Sequence, residues 1–399
     1  MKVVITGASG FVGKRLVPLL QAKGIMLLLV GRVPEKLSRL FPDIDSCGYD
    51  DLERRATGYD ALLHLAVLNS DATAAADEFE AINVGLLLQV LDSAKKAGIG
   101  VFVNISTTKA LGTSDDPYAA SKRRGLEALK SVDGIHIVTI YLPIVHGDGW
   151  TGRMGFLNRL PPWLAQIFFV VLAAQRPTLN ATKLAAFLGN PENLREQYVI
   201  LSDGQSGNRF FQIAKRIVDL IGAGSVVVLL WWALILIALI IKMTSPGPAL
   251  LVQNRVGKGA RIFPCYKFRT MKVGTPEVGT HEVPASCVTP VGRFLRKWKL
   301  DELPQVWNIF RNEVSLVGPR PCLSVQTQLI EARKAKGVLD IKPGMTGLSQ
   351  INGIAMDEPA RLTESDARYI ALQSLMFDFR IILDTLRVTD WRGTLDRGA

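Results

Sequence analysis

The stretch TGASGFVG at residues 6–13 decides the fold of the N-terminal half of this chain. It follows the short apolar run VVIT and precedes an amphipathic segment, the order expected of a strand, a turn and a helix. Gly7, Gly10 and Gly13 permit a tight turn that lets the backbone approach a pyrophosphate, and the first N–H groups of the helix then face that anion. The motif therefore predicts a dinucleotide-binding turn at the start of a parallel sheet.

Outward from this turn, residues 1–150 alternate short apolar runs with amphipathic ones. This alternation predicts parallel strands joined by crossover helices, and so an α/β chain with a Rossmann-like, doubly wound domain over residues 1–205. After two prolines comes WLAQIFFVVLAA at residues 163–174, which is too short to span a bilayer. We interpret it as a buried helix in preference to an interfacial one.

The chain changes character after residue 205. The polar, glycine-rich stretch SDGQSGNR at residues 202–209 predicts a domain boundary, with a linker at residues 206–214. Residues 217–241 then hold a single charge, Asp219, over a length sufficient for a membrane helix. We expect a membrane-embedded helix at residues 215–243 and a small mixed α/β, helix-rich catalytic domain at residues 244–399.

The charge of the chain is uneven. Residues from Phe210 onward carry 25 Lys+Arg against 16 Asp+Glu, whereas the first 209 residues carry 22 against 20. A basic half beside an apolar segment suits anionic membrane lipids or phosphorylated substrates, and no motif points to nucleic acid, which we do not expect as a partner. The 4 cysteines form no C-x-x-C pair, which fits a reducing compartment and argues against structural zinc.

A second set of residues in the N-terminal half points to proton transfer. Ser106 closes the run VFVNIS, and Tyr118 precedes Lys122 by four residues, which places both on one face of a helix. The ammonium can lower the pKa of the phenol and make it a usable proton donor or acceptor, while Ser106 can hydrogen-bond a substrate oxygen.

These residues together resemble the extended short-chain dehydrogenase/reductase family, over residues 1 to about 205. The resemblance implies a nicotinamide cofactor and chemistry on a nucleotide sugar. Where an acidic residue would bind an NAD ribose, this chain has Arg32, which can pair with a 2′-phosphate. We therefore expect NADP(H) ahead of NAD.

The region left for a sugar pocket, residues 147–205, is short for that family. Three interpretations stay open: a reductase acting on a UDP-4-keto-6-deoxy sugar, an epimerase or dehydratase, and a silent cofactor-binding scaffold. The presence of Ser106, Tyr118 and Lys122 favours activity over the scaffold.

In the C-terminal half, Asp301 and Glu302 place two adjacent carboxylates in a basic and apolar context. A carboxylate can attack phosphorus to form an acyl phosphate, and a second can help to hold Mg²⁺ against phosphate oxygens. An Asp-Glu pair by itself is uninformative, because most such pairs are solvated or cap a helix.

The neighbouring motifs make the pair specific. They are SPGP at residues 245–248, QNRVG at 253–257, YKFRTM at 266–271, SLVGPRP at 315–321 and KPGMTGL at 342–348. In this order they resemble the monotopic phosphoglycosyl transferases, a family of bacterial sugar transferases, from about Lys215 to Arg387.

The resemblance implies transfer of a sugar-1-phosphate from a UDP-sugar to polyprenyl phosphate with release of UMP. Asp301 matches the covalent nucleophile of the family and Glu302 its partner near Mg²⁺, so both are candidate metal ligands. The other matched positions are assigned to substrate binding: Lys267, Arg269, Arg320, Asp366 and Tyr369. The family segment bends at a Ser-Pro, where this chain has Trp231 and Trp232.

The soluble substrates of both halves, UDP-sugar and NAD(P)(H), are cytoplasmic. We therefore expect a re-entrant or interfacial helix hairpin, bent at Trp231 and Trp232 or at Gly222 or Gly224, with both domains on the cytoplasmic face of the bacterial inner membrane. The expected function is that of a fused bifunctional enzyme that starts a surface glycan, with a homodimer left open. The rival from another class is a membrane scaffold without activity.

Overall fold

The computed structural model describes residues 1–69, 72–112, 116–147, 149, 152–275 and 284–387. It divides the chain into two compact units. The first comprises Met1–Phe169 and Pro177–Asp203, and the second comprises Val170–Arg176 and Gly204–Ala399. The division near residue 204 falls within the polar stretch that predicted a boundary. Residues 276–283 and 388–399 of the expected catalytic domain lie outside the described residues.

A parallel sheet forms the centre of the first unit. Its strands are β1 Lys2–Thr6, β2 Met26–Val30, β3 Asp45–Cys47, β4 Ala61–His64, β5 Val101–Thr107, β6 His136–Leu142 and β9 Tyr198–Ile200. Two further strands, β7 Ile144–His146 and β8 Thr178–Asn180, form a separate parallel pair. In the described residues the sheet has the order β3-β2-β1-β4-β5-β6-β9, and every neighbouring pair is parallel.

Helices cover both faces of this sheet. The helices of this unit are α1 Phe11–Gln21, α2 Pro34–Leu40, α3 Leu52–Arg55, α4 Ala76–Glu80, α5 Leu87–Lys96, α6 Pro117–Lys130 and α8 Ala181–Leu188, with a π-helix at Ala81–Leu86. Helix α7, Pro162–Gln175, is divided between the two units. One core packs α1 and α8 against Val3 and Ile5 of β1, and the other packs α3 and α5 against Val4 of the same strand. Alternate residues of β1 therefore serve opposite cores, and the predicted doubly wound Rossmann-like fold is confirmed.

Helix α7 departs from the prediction that it would be buried. Its side chains Trp163, Ile167 and Phe168 are 66%, 53% and 49% exposed, whereas Ala165 and Ala174 on its inner side are buried. The amino acid pattern of this helix is apolar on all sides, and an all-round apolar helix gives no indication of which side stays uncovered. The buried-helix interpretation was therefore wrong for its outer face.

The second unit is mixed α/β and rich in helices. Its elements are α9 Arg209–Thr244, β10 Leu250–Val256, β11 Ile262–Phe268, α10 Pro290–Lys297, α11 Val306–Phe310, β12 Ser315–Val317, α12 Thr327–Ala335, β13 Gly344–Thr346, α13 Leu348–Ile351, α14 Pro359–Leu372 and α15 Leu375–Arg387. Strands β10 and β11 form an antiparallel hairpin, and β12 pairs with β13 in parallel.

Helix α9 is one uninterrupted helix of 36 residues. It begins at Arg209, inside the expected linker, and runs through Gly222, Gly224, Trp231 and Trp232 without leaving helical geometry. The predicted hairpin is therefore wrong. The stretch contains no proline, and single glycines within a run of Leu, Ile, Val and Ala residues do not break a helix.

One face of α9 packs on its own unit along nearly its whole length. Near the start, Ala223 packs with Val306 and Ile309 of α11, and near the end Ile241 packs with Phe268 and Leu295. The opposite face is apolar and exposed; it includes Ile217, Val218, Ile221, Val228, Leu229, Trp231, Trp232, Ile235, Leu236 and Leu239. Among the described residues α9 is the one helix long and apolar enough to cross a membrane by length and composition.

Buried polar residues anchor the first third of α9. Asp219 is 2% exposed and accepts hydrogen bonds from Ser315 Oγ at 2.9 Å and Leu316 N at 2.8 Å. One turn earlier, Lys215 donates to Asp378 at 2.5 Å and to Val317 O at 2.9 Å. Because a buried charge without partners costs several kcal/mol, these contacts fix the register of α9 against β12.

Candidate active sites

The glycine turn of the first unit has the geometry that its sequence predicted. Gly7 lies at φ +73°, and a Cβ added there would stand 2.5 Å from Ala66 N. A Cβ on Gly13 would stand 2.5 Å from Ala8 O, and Gly10 N donates to Gly7 O at 3.0 Å to close the turn. Helix α1 follows with no side-chain cap hydrogen bond, so its first N–H groups are left to an anion. A dinucleotide pyrophosphate fits this cradle.

Gly7→Ala is expected to weaken NAD(H) and NADP(H) binding by roughly tenfold or more, because the methyl group must displace the backbone on which the pyrophosphate rests. Gly24→Ala is the matched control, because Gly24 has the same φ of +72° but nothing within 4 Å of its added Cβ. Titration of cofactor fluorescence measures both variants. Equal affinities in the two would show that the turn does not hold the cofactor.

Tyr118 and Lys122 lie on α6 as predicted, but they do not form the expected electrostatic pair. Burial raises the pKa of Tyr118 to about 12, and the hydroxyl of Thr107 is its hydrogen-bond partner. Lys122 donates from Nζ to Ile105 O at 3.1 Å, and burial lowers its pKa to about 8. The ammonium does not lower the pKa of the phenol in this structure, so that part of the prediction was wrong.

The hydroxyl beside the phenol is that of Thr107, and the role of Ser106 at a substrate oxygen stays a prediction. Ser106 is 4% exposed and its Oγ is buried without a hydrogen-bond partner, whereas Thr107, one residue later, contacts Tyr118. Successive side chains of a strand point to opposite faces, so only one of these two residues can face α6. The sequence carried a signal for Thr107, the adjacent hydroxyls of Ser106 and Thr107 at the end of β5, but gave no means of choosing between them.

Arg32 lies two residues beyond the end of β2 and is exposed. This is the edge of the sheet at which the carboxyl ends of β1 and β2 meet, where the adenosine ribose of a dinucleotide is bound in this kind of fold. The role of Arg32 beside the ribose stays a prediction.

In the second unit, Asp301 and Glu302 lie on a 3-10 helix, Leu300–Gln305, that follows β11 and α10. The residue before this helix, Lys299, has φ 54°, a left-handed conformation that non-glycine residues seldom adopt. Backbone strain of this kind persists only where the surroundings fix it, and it is common at active sites.

Glu302 is the centre of an ion-pair cluster. Its Oε1 accepts from Lys267 Nζ at 2.8 Å and from Arg320 Nη2 at 2.9 Å, and the residue is 8% exposed. Burial by itself would raise the pKa of Glu302, but Lys267 and Arg320 outweigh it and hold the pKa far below its usual value. Glu302 is therefore ionised at any physiological pH and orients two cations from different elements.

Asp301 differs from its neighbour. Burial and the adjacent Glu302 carboxylate raise the pKa of Asp301, while Lys267, Arg296 and Arg320 oppose the rise. Two adjacent carboxylates with pKa values moved in opposite directions indicate different roles. Glu302 is committed to its ion pairs, and the more basic Asp301 is the better nucleophile.

Arg269 does not join this cluster. Its guanidinium donates to the carbonyl oxygens of Ser245, at 2.9 Å, and Pro246, and the residue is 6% exposed. It therefore fixes the chain where α9 ends. The assignment of Arg269 to substrate binding stays a prediction.

Asp366 and Tyr369 are also supports. Asp366 is 1% exposed, and Arg333 Nη2 at 2.7 Å and Ser349 Oγ at 2.8 Å occupy its two oxygens. Tyr369 is equally buried, with its hydroxyl 2.7 Å from Asp378 and 3.3 Å from Val317 O. Both side chains are buried and engaged by other residues of the same unit, and their assignment to substrate binding stays a prediction.

Arg333 connects the buried Asp366 to the segment that carries Arg320. It is 2% exposed and donates from Nη1 to Arg320 O at 2.8 Å. Tyr369 at Val317 and Arg333 at Arg320 thus clamp both ends of the four-residue segment that presents the Arg320 guanidinium to Glu302. Nothing in the sequence near Arg333 marked it, since a single arginine on a helix is usually a solvated surface residue.

Two further cations near the carboxylates were missed. Arg296 and Lys299 both act on Asp301, and burial lowers the pKa of Lys299 to about 8. The signal was present as the basic run directly before the Asp-Glu pair, RKWK at residues 296–299. With Lys267 and Arg320, they surround the carboxylates with positive charge, as a diphosphate substrate requires.

No group of three or more His, Cys, Asp or Glu side chains that could hold a metal occurs among the described residues. Mg²⁺ commonly takes only one or two protein carboxylates and completes its shell with waters and substrate phosphates. Because both ion pairs of Glu302 use Oε1, Asp301 and the second oxygen of Glu302 fit that limited role.

Comparison with known proteins matches a family model to each half of the chain. Residues 210–391 match the model of the bacterial sugar transferase family, and residues 3–167 match the NAD dependent epimerase/dehydratase family.

In two relatives, the part that matches this chain makes up 68% of the relative's own length. A UDP-glucose:undecaprenyl-phosphate glucose-1-phosphate transferase of Caulobacter vibrioides is 37% identical over 183 residues, which are 44% of this chain and 68% of that protein. A protein of the same description from Xanthomonas campestris pv. campestris is 29% identical over 343 residues, 80% of this chain and 68% of that protein.

Among solved structures, a UDP-N-acetylglucosamine 4-epimerase from Methanobrevibacter ruminantium M1 matches with a TM-score of 0.40 and 18% identity, over 54% of this chain and 82% of that chain.

Proposed function

The chain belongs to the bacterial sugar transferase family, and from that premise we propose that it transfers a sugar-1-phosphate from a UDP-sugar to undecaprenyl phosphate and releases UMP. The observation that carries this proposal is the ion-pair cluster of Lys267, Glu302 and Arg320 beside Asp301. It unites a nucleophile with elevated basicity and fixed cations in one partly buried site, the combination that phosphoryl transfer needs.

The proposed reaction has two steps. An oxygen of the Asp301 carboxylate attacks the phosphorus that carries the sugar, and the bond from this phosphorus to the bridging oxygen breaks, so that UMP leaves with the electron pair. A phosphate oxygen of undecaprenyl phosphate then attacks the same phosphorus and frees Asp301 as a carboxylate. Arg320 and Lys267 neutralise the charge on the phosphoryl oxygens in both steps.

We propose that Asp301 and Glu302 would hold Mg²⁺ when the substrate is bound. When bound, it supplies additional charge neutralisation at the phosphate oxygens and orients the leaving group.

The mechanism is tested by incubating the full chain with UDP-sugars in the absence of lipid acceptor. We expect an adduct with the mass of one sugar phosphate, mapped to Asp301, and release of one UMP for each adduct formed. Adding undecaprenyl phosphate should remove the adduct. A panel of UDP-sugars identifies the donor, and turnover without any adduct at Asp301 would refute the covalent mechanism.

We place α9 flat in one leaflet of the bacterial cytoplasmic membrane. Its packing onto the second unit at both Ala223 and Ile241 supports this placement, because a helix that crossed the bilayer would carry its far end away from that unit. The exposed apolar face then lies among acyl chains. The pools of UDP-sugar and nicotinamide cofactor support the cytoplasmic face for both units.

For the first unit, membership of the NAD dependent epimerase/dehydratase family supports a nicotinamide cofactor at the Gly7 turn. We propose that it reduces a UDP-4-keto-6-deoxy sugar and so completes the donor, with Tyr118 as proton donor and Thr107 or Ser106 near the substrate oxygen. Bound cofactor supplies the hydride. The chain's own residues orient the sugar and deliver the proton.

Arg32→Glu is expected to weaken NADPH binding roughly tenfold relative to NADH, because it replaces a cation that can pair with the 2′-phosphate by a repelling carboxylate. Arg39→Glu, the same change of charge at another exposed arginine of the first unit, is the control. The ratio of the two dissociation constants is the measurement. An unchanged ratio would remove Arg32 from cofactor selection.

A further inference from the structure

The first part of α7 presents an apolar surface to its surroundings. Trp163, Ile167 and Phe168 are each about half exposed or more. Phe156, 54% exposed, extends the same surface and contacts Phe168 edge to face with ring centroids 6.4 Å apart. Four large apolar side chains grouped in this way are unusual on a soluble domain and mark an interaction surface.

The charge pattern around this surface points to lipid. Residues 162–175 contain no charged side chain, and the only polar ones are Gln166 and Gln175. Exposed arginines stand just beyond each end, Arg159 before the helix and Arg176 after it. An apolar helix with cationic ends and an exposed tryptophan suits a membrane interface that carries anionic head groups. At 14 residues the helix is too short to span the hydrocarbon core.

The later part of α7 is tied to the start of α9. Gln205 Nε2 donates to Ala173 O at 2.6 Å, and Asn208 Nδ2 donates to Val170 O at 3.1 Å. Asn208 is the residue that caps α9, through a bond from Phe211 N to its Oδ1 at 3.0 Å. These bonds place the later part of α7, from Val170 onward, in the second unit together with α9.

We propose that α7 is a second membrane contact, lying in the interface with Trp163, Ile167 and Phe168 among the lipids, so that the first unit binds the bilayer through a surface of its own. The proposal rests on the placement of α9 in the membrane. It assigns a lipid partner to a domain of the NAD dependent epimerase/dehydratase family.

The test uses the full chain with Cys287→Ser, since the remaining cysteines, Cys47, Cys265 and Cys322, are buried. Single cysteines are placed by Trp163→Cys, Ile167→Cys, Val228→Cys and Arg39→Cys, and each is labelled with an environment-sensitive fluorophore. The labelled proteins are reconstituted into vesicles of phosphatidylcholine and phosphatidylglycerol that contain a shallow nitroxide lipid. Val228 reports on α9, and Arg39, an exposed charged residue of α2, is the control.

We expect the labels at 163 and 167 to be quenched by the nitroxide lipid roughly threefold or more above the label at 39, and to emit at shorter wavelength. Quenching at 228 without quenching at 163 and 167 would overturn the α7 proposal and leave the placement of α9 standing. No quenching at 228 would refute the placement of α9, and the α7 proposal with it. Labels at 163 and 167 shielded from both lipid and aqueous quenchers would show a protein partner and would also overturn the proposal.

Discussion

Asp301→Asn is expected to reduce release of UMP from UDP-sugar and undecaprenyl phosphate by roughly 10³-fold or more, since an amide cannot form the acyl phosphate. The substitution conserves shape, so the ion pairs of Glu302 with Lys267 and Arg320 should persist. Binding of UDP-sugar should therefore change far less than turnover. Initial rates of UMP release, together with the dissociation constant of the donor, measure the two effects separately.

Asp357→Asn is the matched control, because Asp357 is an exposed carboxylate of the same unit. It should leave UMP release at the level of the unchanged protein. If Asp301→Asn retained normal turnover, the nucleophile would have to be another residue, and the distinction between Asp301 and Glu302 drawn from their environments would be wrong.

Arg333→Met is expected to lower the free energy of unfolding by about 3–5 kcal/mol, the cost of leaving one member of a buried ion pair without its partner. Both side chains of the Arg333–Asp366 pair are 2% exposed, so water cannot replace the lost contact. The substitution also removes the bond to Arg320 O, and we expect kcat to fall in the fraction that remains folded. Urea unfolding followed by tryptophan fluorescence measures the first effect.

Arg361→Met provides the comparison, since the Arg361–Glu358 pair has side chains 64% and 39% exposed. Exposed pairs contribute little, so this variant should stay within about 1 kcal/mol of the unchanged protein. Adding Asp366→Asn to Arg333→Met removes the orphaned charge and should recover part of the stability. It should not recover kcat, because the bond to Arg320 O stays absent. Equal free energies of unfolding for Arg333→Met and Arg361→Met would contradict the role given to Arg333.

The sequence predicted the features that depend on local pattern. The TGASGFVG turn predicted the parallel sheet, because two of its positions require glycine. Gly7 has a positive φ, and Gly13 lies too close to the backbone of Ala8 to carry a side chain. The Asp-Glu pair with Lys267 and Arg320 could be identified by resemblance, and the structure brings the four residues together.

Features that depend on long-range packing could not be predicted. The contacts of Asp366 and Tyr369 with Arg333, Ser349 and Asp378 are an example, because a polar residue in a matched motif looks the same whether it faces a ligand or another side chain. Arg333 lies 33 residues from Asp366 in the chain, and only the packing of α12 on α14 reveals the pair. The choice between Ser106 and Thr107 depended on the orientation of β5, which a one-residue change of register reverses.

The uninterrupted length of α9 also has a mechanical consequence for the membrane. A helix of 36 residues is about 54 Å long and about 10 Å wide, so when lying flat it occupies on the order of 500 Å² of a single monolayer. Area added to one monolayer alone favours bending toward that side, and loosely packed, convex bilayers accept it most readily. The chain should therefore bind small, highly curved vesicles more tightly than large flat ones of the same lipid composition.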